Sequence, residues 1–262
     1  GFARVKLNGK YGFIDKTGKE AIPFKYDDVW DFSEGLSMVK LNGKWGYIDT
    51  TGKEVIPCKY DYAYDFSKGL ARVRLNNKCG YLDKTGKEVI PFNYDYLGPF
   101  KDGLACAGQK GEFGFIDTAG IEVIPCKYED ANSFYEGLSA VKLNGKWGYI
   151  DKTGREICPY KYDWAYDFSK GLAQVEINRK YGVINSQGNE ILPLIFSNIE
   201  FVGSVIIVTL NRQYGVISNN GEYILPCIYD DIDINDDVIV ARKSNTIYEF
   251  NQSGELVNIF CN

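Results

Sequence analysis

The sequence contains no histidine and only one methionine among its 262 residues. Without histidine the commonest general base is missing, and with it the Ser-His and Cys-His dyads and most transition-metal sites. No apolar run approaches the roughly 18–20 residues that a membrane-crossing helix needs, so membrane insertion is not expected. An excess of positive charge is lacking too: 30 Lys and Arg stand against 35 Asp and Glu, for a net charge of −5. The basic residues are interleaved with acids, which argues against nucleic acid as a partner. The seven cysteines, at 58, 79, 106, 126, 158, 227 and 261, give neither zinc-ligand spacing nor an even disulfide set. Cys58, Cys126 and Cys227 follow a repeated proline where other units carry Phe24, Phe92 or Tyr160, so they read as small hydrophobes. Unpaired thiols point to a reducing compartment, the cytoplasm. Beginning at Gly1 inside a repeat and without an initiator methionine, the sequence reads as a piece of a longer protein.

What the sequence does have is a repeat. A glycine behind a central aromatic or its stand-in recurs at Gly12, Gly46, Gly80, Gly114, Gly148 and Gly182, each step being 34 residues. Gly215 and Tyr248 follow after steps of 33. Such a period marks an array in which each unit holds a partial core and stability comes from stacking neighbours. Seven full units and a shorter eighth run at about 1–34, 35–68, 69–102, 103–136, 137–170, 171–202, 203–236 and 237–262. No linker interrupts them, so one domain is expected.

Within the second unit, Ser37 to Leu41 alternates and leads into Asn42-Gly43, the pair best suited to a type I′ hairpin turn. Lys44 to Asp49 returns, Thr50 to Lys53 turns again on Gly52, and Glu54 to Asp61 makes a third strand whose Pro57 marks an edge or a bulge. No 3.6-residue apolar period appears, so the chain is all β. Each unit reads as a three-stranded β-meander, with room for a short fourth strand in its aromatic connector. Gly46 and its equivalents imply that something needs the space above them. An aromatic from the adjacent repeat, such as Tyr60 or Phe66 against Gly46 or Gly80, is the expected occupant, making this step a joint between units.

Lys44-Trp45-Gly46-Tyr47-Ile48-Asp49, Thr51-Gly52, Ile56-Pro57 and Tyr60-Asp61 resemble the WG-repeat family, also called KWG repeats, known from many bacterial proteins. The match returns at Lys146 to Asp151, Thr153-Gly154 and Tyr162-Asp163, and the Phe-Ser-x-Gly-Leu junction at Phe32 to Leu36, Phe66 to Leu70 and Phe168 to Leu172. The last three units depart: Asn185, Ser218 and Asn251 replace the aspartate, and the Gly-Leu junction becomes Gly203-Ser204 and then Asp237-Val238. The resemblance implies a β-repeat module that mediates interactions, with no catalytic residues and no cofactor to carry over. An open superhelix or solenoid of stacked meanders is favoured over a seven- or eight-bladed propeller, because 34 residues are few for a blade.

The repeated acids look structural. Asp15, Asp49, Asp83, Asp117 and Asp151 precede a turn and fit Asx turns, and one carboxylate per turn falls well short of the about six oxygens calcium wants. Asp27, Asp61, Asp95, Glu129 and Asp163 form a second ladder of the same kind. A cluster at Asp230, Asp231, Asp233, Asp236 and Asp237 reads as a solvated loop. Residues that vary between units are the better candidates for function. In the connectors these are Trp30, Tyr62, Tyr64, Tyr96, Trp164 and Tyr166, at positions where other units place Asp, Asn or Gly. The expected function is a non-catalytic interaction module presenting an extended acidic, aromatic-edged surface to a protein or peptide partner, a basic one included. A carbohydrate-binding array is the alternative. An enzyme ranks last, and nothing in the sequence sets the oligomeric state.

Overall fold

The computed structural model describes residues 1–235 and 238–261. Two compact units divide the chain, Gly1–Ser133 and Phe134–Asn262. Every regular element among the described residues is a β-strand.

In the first unit the opening sheet has three strands, Ala3–Leu7, Lys10–Ile14 and Glu20–Tyr26. The next is four-stranded: Asp28–Ser33, Leu36–Leu41, Lys44–Asp49 and Glu54–Tyr60, in sequence order and antiparallel. The third begins with the two residues Tyr62–Ala63, which pair with Leu70–Leu75 through Tyr62↔Arg74 and Ala63↔Val73. The connector therefore supplies a fourth strand, and that strand belongs to the following sheet. In the second unit Trp164–Ala165 does the same for Leu172–Ile177. The chain is thus a tandem all-β array of meanders in which each unit hands one strand forward.

Local chemistry explains the strands. Asn42 and Gly43 both take positive φ, 51° and 79°, as a type I′ hairpin requires. At the second turn Asp49 Oδ1 accepts from Thr51 N (2.9 Å), Thr51 Oγ1 (2.6 Å) and Lys53 N (3.1 Å), a full Asx turn. Asn185 and Asn251 make the same backbone bonds in the later repeats, because an amide oxygen accepts as a carboxylate does. The third strand is a sheet edge and it bulges: Tyr47 faces Ile56, yet Trp45 faces Tyr60. Pro57 sits in that bulge, where no ladder donor is needed.

The bulge also corrects the reading of Gly46. A Cβ at Gly46 would lie 2.5 Å from Ile56 O, 2.6 Å from Cys58 N and 2.7 Å from Pro57 C. The occupant is the unit's own bulged backbone, not an aromatic from a neighbour. At Gly80 and Gly148 the rings of Phe92 and Tyr160 add to the crowding, and both belong to the same meander as the glycine.

Neighbouring sheets pack through aromatic and aliphatic side chains. Trp45, Tyr47, Ile56 and Tyr60 of one sheet share a core with Ala63, Phe66, Val73 and Leu82 of the next. The Tyr47 and Phe66 rings meet edge to face at 4.9 Å. In the second unit Trp147, Tyr149, Cys158 and Tyr162 pack in the same way on Ala165, Phe168, Val175 and Ile184.

Candidate functional site

The connectors are positioned by tyrosines buried in the preceding sheet. Tyr47 Oη donates to Tyr64 O, Tyr81 Oη to Gly98 O, and Tyr149 Oη to Tyr166 O, each at 2.6 Å. Burial pushes the Tyr81 hydroxyl up to about 12 and those of Tyr47 and Tyr149 higher still, so all three remain donors. The connector backbone is fixed from below, with Ala63 and Phe66 turned into the core and Tyr62 and Tyr64 left exposed.

All six connector aromatics expected from sequence are exposed: Trp30, Tyr62, Tyr64, Tyr96, Trp164 and Tyr166 show between 41% and 49% of their surface. They fall into separate groups. Tyr62 and Tyr64 meet at 4.9 Å with their planes 56° apart, and Tyr62 also leans on Trp45 at 6.3 Å. Tyr96 lies across a cleft of about 530 Å³ from this pair. Trp164 packs on Trp147 at 5.2 Å and on Tyr166 at 6.4 Å. Trp30 stands apart, with the Arg4 guanidinium 6.0 Å from its ring.

Arg72 is a component the sequence reading missed. Its guanidinium lies 3.7 Å over the Tyr64 ring and donates to Leu97 O of the next connector. Arg4 repeats the device two units earlier, donating to Val29 O at 3.0 Å. The signal available was the same variation that singled out the aromatics: Arg4, Met38, Arg72, Cys106, Ala140 and Gln174 occupy one repeat position.

Two further clefts flank these groups. One, of about 490 Å³, is walled by Tyr64, Asp65, Ser67, Lys68, Arg72 and Pro99. The other, of about 350 Å³, lies in the second unit and is walled by Tyr166, Asp167, Ser169, Lys170, Gln174 and Phe201. Burial, then the like charge of Asp31, pushes the Asp65 carboxyl above its ordinary value.

Many acids among the described residues are engaged. Asp27, Asp61, Asp95 and Asp163 pair with Lys10, Lys44, Lys78 and Lys146, the first at 2.6 Å. Gly43 N, Lys110 N and Asn178 N from the following hairpins bind Asp27, Asp95 and Asp163. Those lysine bonds hold the four carboxyls below the usual range. In the C-terminal cluster Asp230 accepts from Ser244 N at 2.7 Å and Asp231 pairs with Arg242, while Asp236 and Asp237 lie outside the described residues.

An all-β repeat scaffold with exposed side chains on its connectors defines the class. The chain belongs to the WG containing repeat family, which it matches over residues 11–45, 45–79, 80–112, 113–147, 147–181, 181–212 and 214–246. That family is a repeat β-scaffold and not a known enzyme family. No curated protein matches the sequence. Among solved structures the chain is similar to a eukaryotic initiation factor, with 11% identity, 98% of this chain and 94% of that one covered, and a TM-score of 0.42. It is similar to Hsv2p of Kluyveromyces lactis, at 9% identity, 89% and 97% coverage and a TM-score of 0.42. It is also similar to apo AztD of Citrobacter koseri, at 11% identity, 99% and 94% coverage and a TM-score of 0.38. Likeness at this level transfers no activity.

Proposed function

We propose that the array is a non-catalytic binding module whose connector edge recognises carbohydrate. The observation that carries this reading is the pairing, in ligand-sized clefts, of an exposed tyrosine ring with carboxylate, hydroxyl and ammonium groups on the same wall. A pyranose presents an apolar C–H face and a rim of hydroxyls that both donate and accept, which is what such a wall complements. The charge pattern leans the same way. Asp27, Asp61, Asp95 and Asp163 are occupied by lysines, which offsets part of the negative surface that would draw a basic partner.

A protein or peptide partner is the second reading. Tyr62, Tyr64, Arg72 and Tyr96 gather the residue types that dominate protein hot spots, and the tilted tyrosine pair makes a furrow for a peptide ridge.

Binding of the 262-residue chain to immobilised oligosaccharides at low and high salt tests the proposal. The glycan reading expects weak retention that salt leaves unchanged, since neutral contacts are not screened. Retention of no sugar, with capture of a peptide instead, would reject it.

A further inference from the structure

The clefts beside Tyr64 and Tyr166 are two copies of one site. The segment Ala63-Tyr64-Asp65-Phe66-Ser67-Lys68-Gly69-Leu70-Ala71 recurs without change as Ala165-Tyr166-Asp167-Phe168-Ser169-Lys170-Gly171-Leu172-Ala173, three 34-residue steps along the chain. No other junction has this sequence: the equivalents are Trp30-Asp31-Phe32-Ser33-Glu34, Gly98-Pro99-Phe100-Lys101-Asp102 and Asn132-Ser133-Phe134-Tyr135-Glu136.

A lysine marks both of these junctions, where the first and fourth repeats carry a glutamate. Glu34 reaches across to the following turn and accepts from Lys68 N (2.6 Å) and Gly69 N (3.0 Å). Glu136 does the same with Lys170 N (2.7 Å) and Gly171 N (2.8 Å). These carboxylates draw one junction turn onto the next. A lysine ammonium carries no acceptor and cannot take those two backbone N–H groups, although that of Lys170 donates to Gly203 O of the next turn at 3.4 Å. Where Lys68 and Lys170 take the place of the glutamate, the junction opens into a cleft lined in both cases by tyrosine, aspartate, serine and lysine. The two copies differ at their far walls, where Arg72 and Pro99 in the first correspond to Gln174 and Phe201 in the second.

Resting on the carbohydrate reading, we infer that each chain carries two related saccharide sites, one at Tyr64-Asp65-Ser67-Lys68 and one at Tyr166-Asp167-Ser169-Lys170. In the second, the Tyr166 ring takes the C–H face of one sugar residue; in the first, the Arg72 guanidinium already lies over one face of Tyr64 at 3.7 Å, so only its other face serves. The aspartate accepts from a pair of hydroxyls, and the serine hydroxyl and lysine ammonium donate to sugar oxygens. The sugar binds against a wall of mixed apolar and polar groups, without covalent chemistry.

The test uses the full chain and an array of immobilised neutral hexoses, N-acetylhexosamines and deoxyhexoses. The sugar retained most strongly is then titrated calorimetrically. Two sites per chain are expected, with a change in tryptophan emission from Trp164 on filling of the second. Tyr64→Ala and Asp65→Asn should each leave one site and keep the emission change. Tyr166→Ala and Asp167→Asn should leave one site and abolish it. Affinity at the altered site should fall at least tenfold. The Asp→Asn pair keeps shape and volume, so its loss of binding reads chemistry rather than folding. Sugar binding that survives both tyrosine changes together overturns the assignment of these clefts while leaving the carbohydrate reading intact. Retention of no sugar on the array overturns both.

Discussion

The hydroxyl of Tyr47, buried in one sheet, donates to the backbone carbonyl of Tyr64, half-exposed on the connector that leads into the next. Tyr149 and Tyr166 repeat the relationship three units on. The aromatic that builds the core of one repeat therefore sets the height and angle of a candidate binding residue beyond it. Core and edge are mechanically one element.

Tyr47→Phe tests that link. It keeps the ring against Phe66 but leaves the Tyr64 carbonyl without its donor in a half-buried place. A loss of about 1–3 kcal/mol follows from an unsatisfied buried acceptor. The thermal transition should shift down, and binding at the first cleft should weaken while the second is unaffected. An unchanged melting curve would mean that water or a shifted connector replaces the hydroxyl.

Gly46→Ala should destabilise far more than an exposed glycine change would. The new methyl would stand 2.5–2.7 Å from three backbone atoms of the bulge, and backbone cannot swing aside as a side-chain tip can. The bulge must flatten or the strands must part, with a cost above about 3 kcal/mol expected from overpacking. Gly43→Ala, with nothing within 4 Å but φ of 79°, should lose only about 1 kcal/mol. Equal melting temperatures for the two variants would contradict the crowding.

How far the sequence disclosed this can be followed residue by residue. The array, its turns and its strands were legible because the 34-residue step repeats one chemistry often enough to expose its logic. Gly46 was legible as a crowded position, but its occupant was not. The bulge over it arises from a register shift that only pairing reveals. The fourth strand was faint because Tyr62–Ala63 is too short to show a period, and it pairs forward with the next repeat. Exposure of the connector aromatics could be inferred from their variability. Their grouping could not, because Arg72, which stacks on Tyr64, lies on a strand that reads simply as alternating. The meaning of Lys68 was hidden for a similar reason: the bond it fails to make runs across a whole repeat.

Apart from Asp65, whose raised carboxyl adds a small gain as it protonates, stability should be flat in pH from neutrality down to about pH 4.5 and then decline. No side chain here ordinarily titrates near pH 6, since histidine is absent. The thiols of Cys58 and Cys106, pushed by burial up to about 11 and about 12, stay neutral. The carboxyls of Asp15, Asp49, Asp83 and Asp151 are held below 3.8, first by the neighbouring threonine hydroxyl and also by turn nitrogens. A lowered folded pKa gives stability that is complete above the unfolded value and lost as pH falls through the folded one. Melting temperature measured from pH 7 to pH 2 should show that single acid limb. A decline already under way at pH 6 would point to a group outside these turns.

Lys170→Glu should close the second cleft. The new carboxylate would sit where Glu34 and Glu136 sit in their own repeats, facing the next turn at Gly203-Ser204. The ammonium of Lys170 now reaches Gly203 O at 3.4 Å, which puts position 170 within range of that turn. Replacing the donor with an acceptor exchanges one long contact for two charge-assisted bonds to backbone nitrogens. The melting temperature should hold or rise slightly, while sugar binding at the Tyr166 site falls at least tenfold. The first cleft, with Lys68 untouched, should titrate as before. If Lys170→Glu binds both sugars undiminished, the glutamate-to-lysine exchange is not what opens the junction. If binding is lost along with the thermal transition, the lysine serves the fold rather than the cleft.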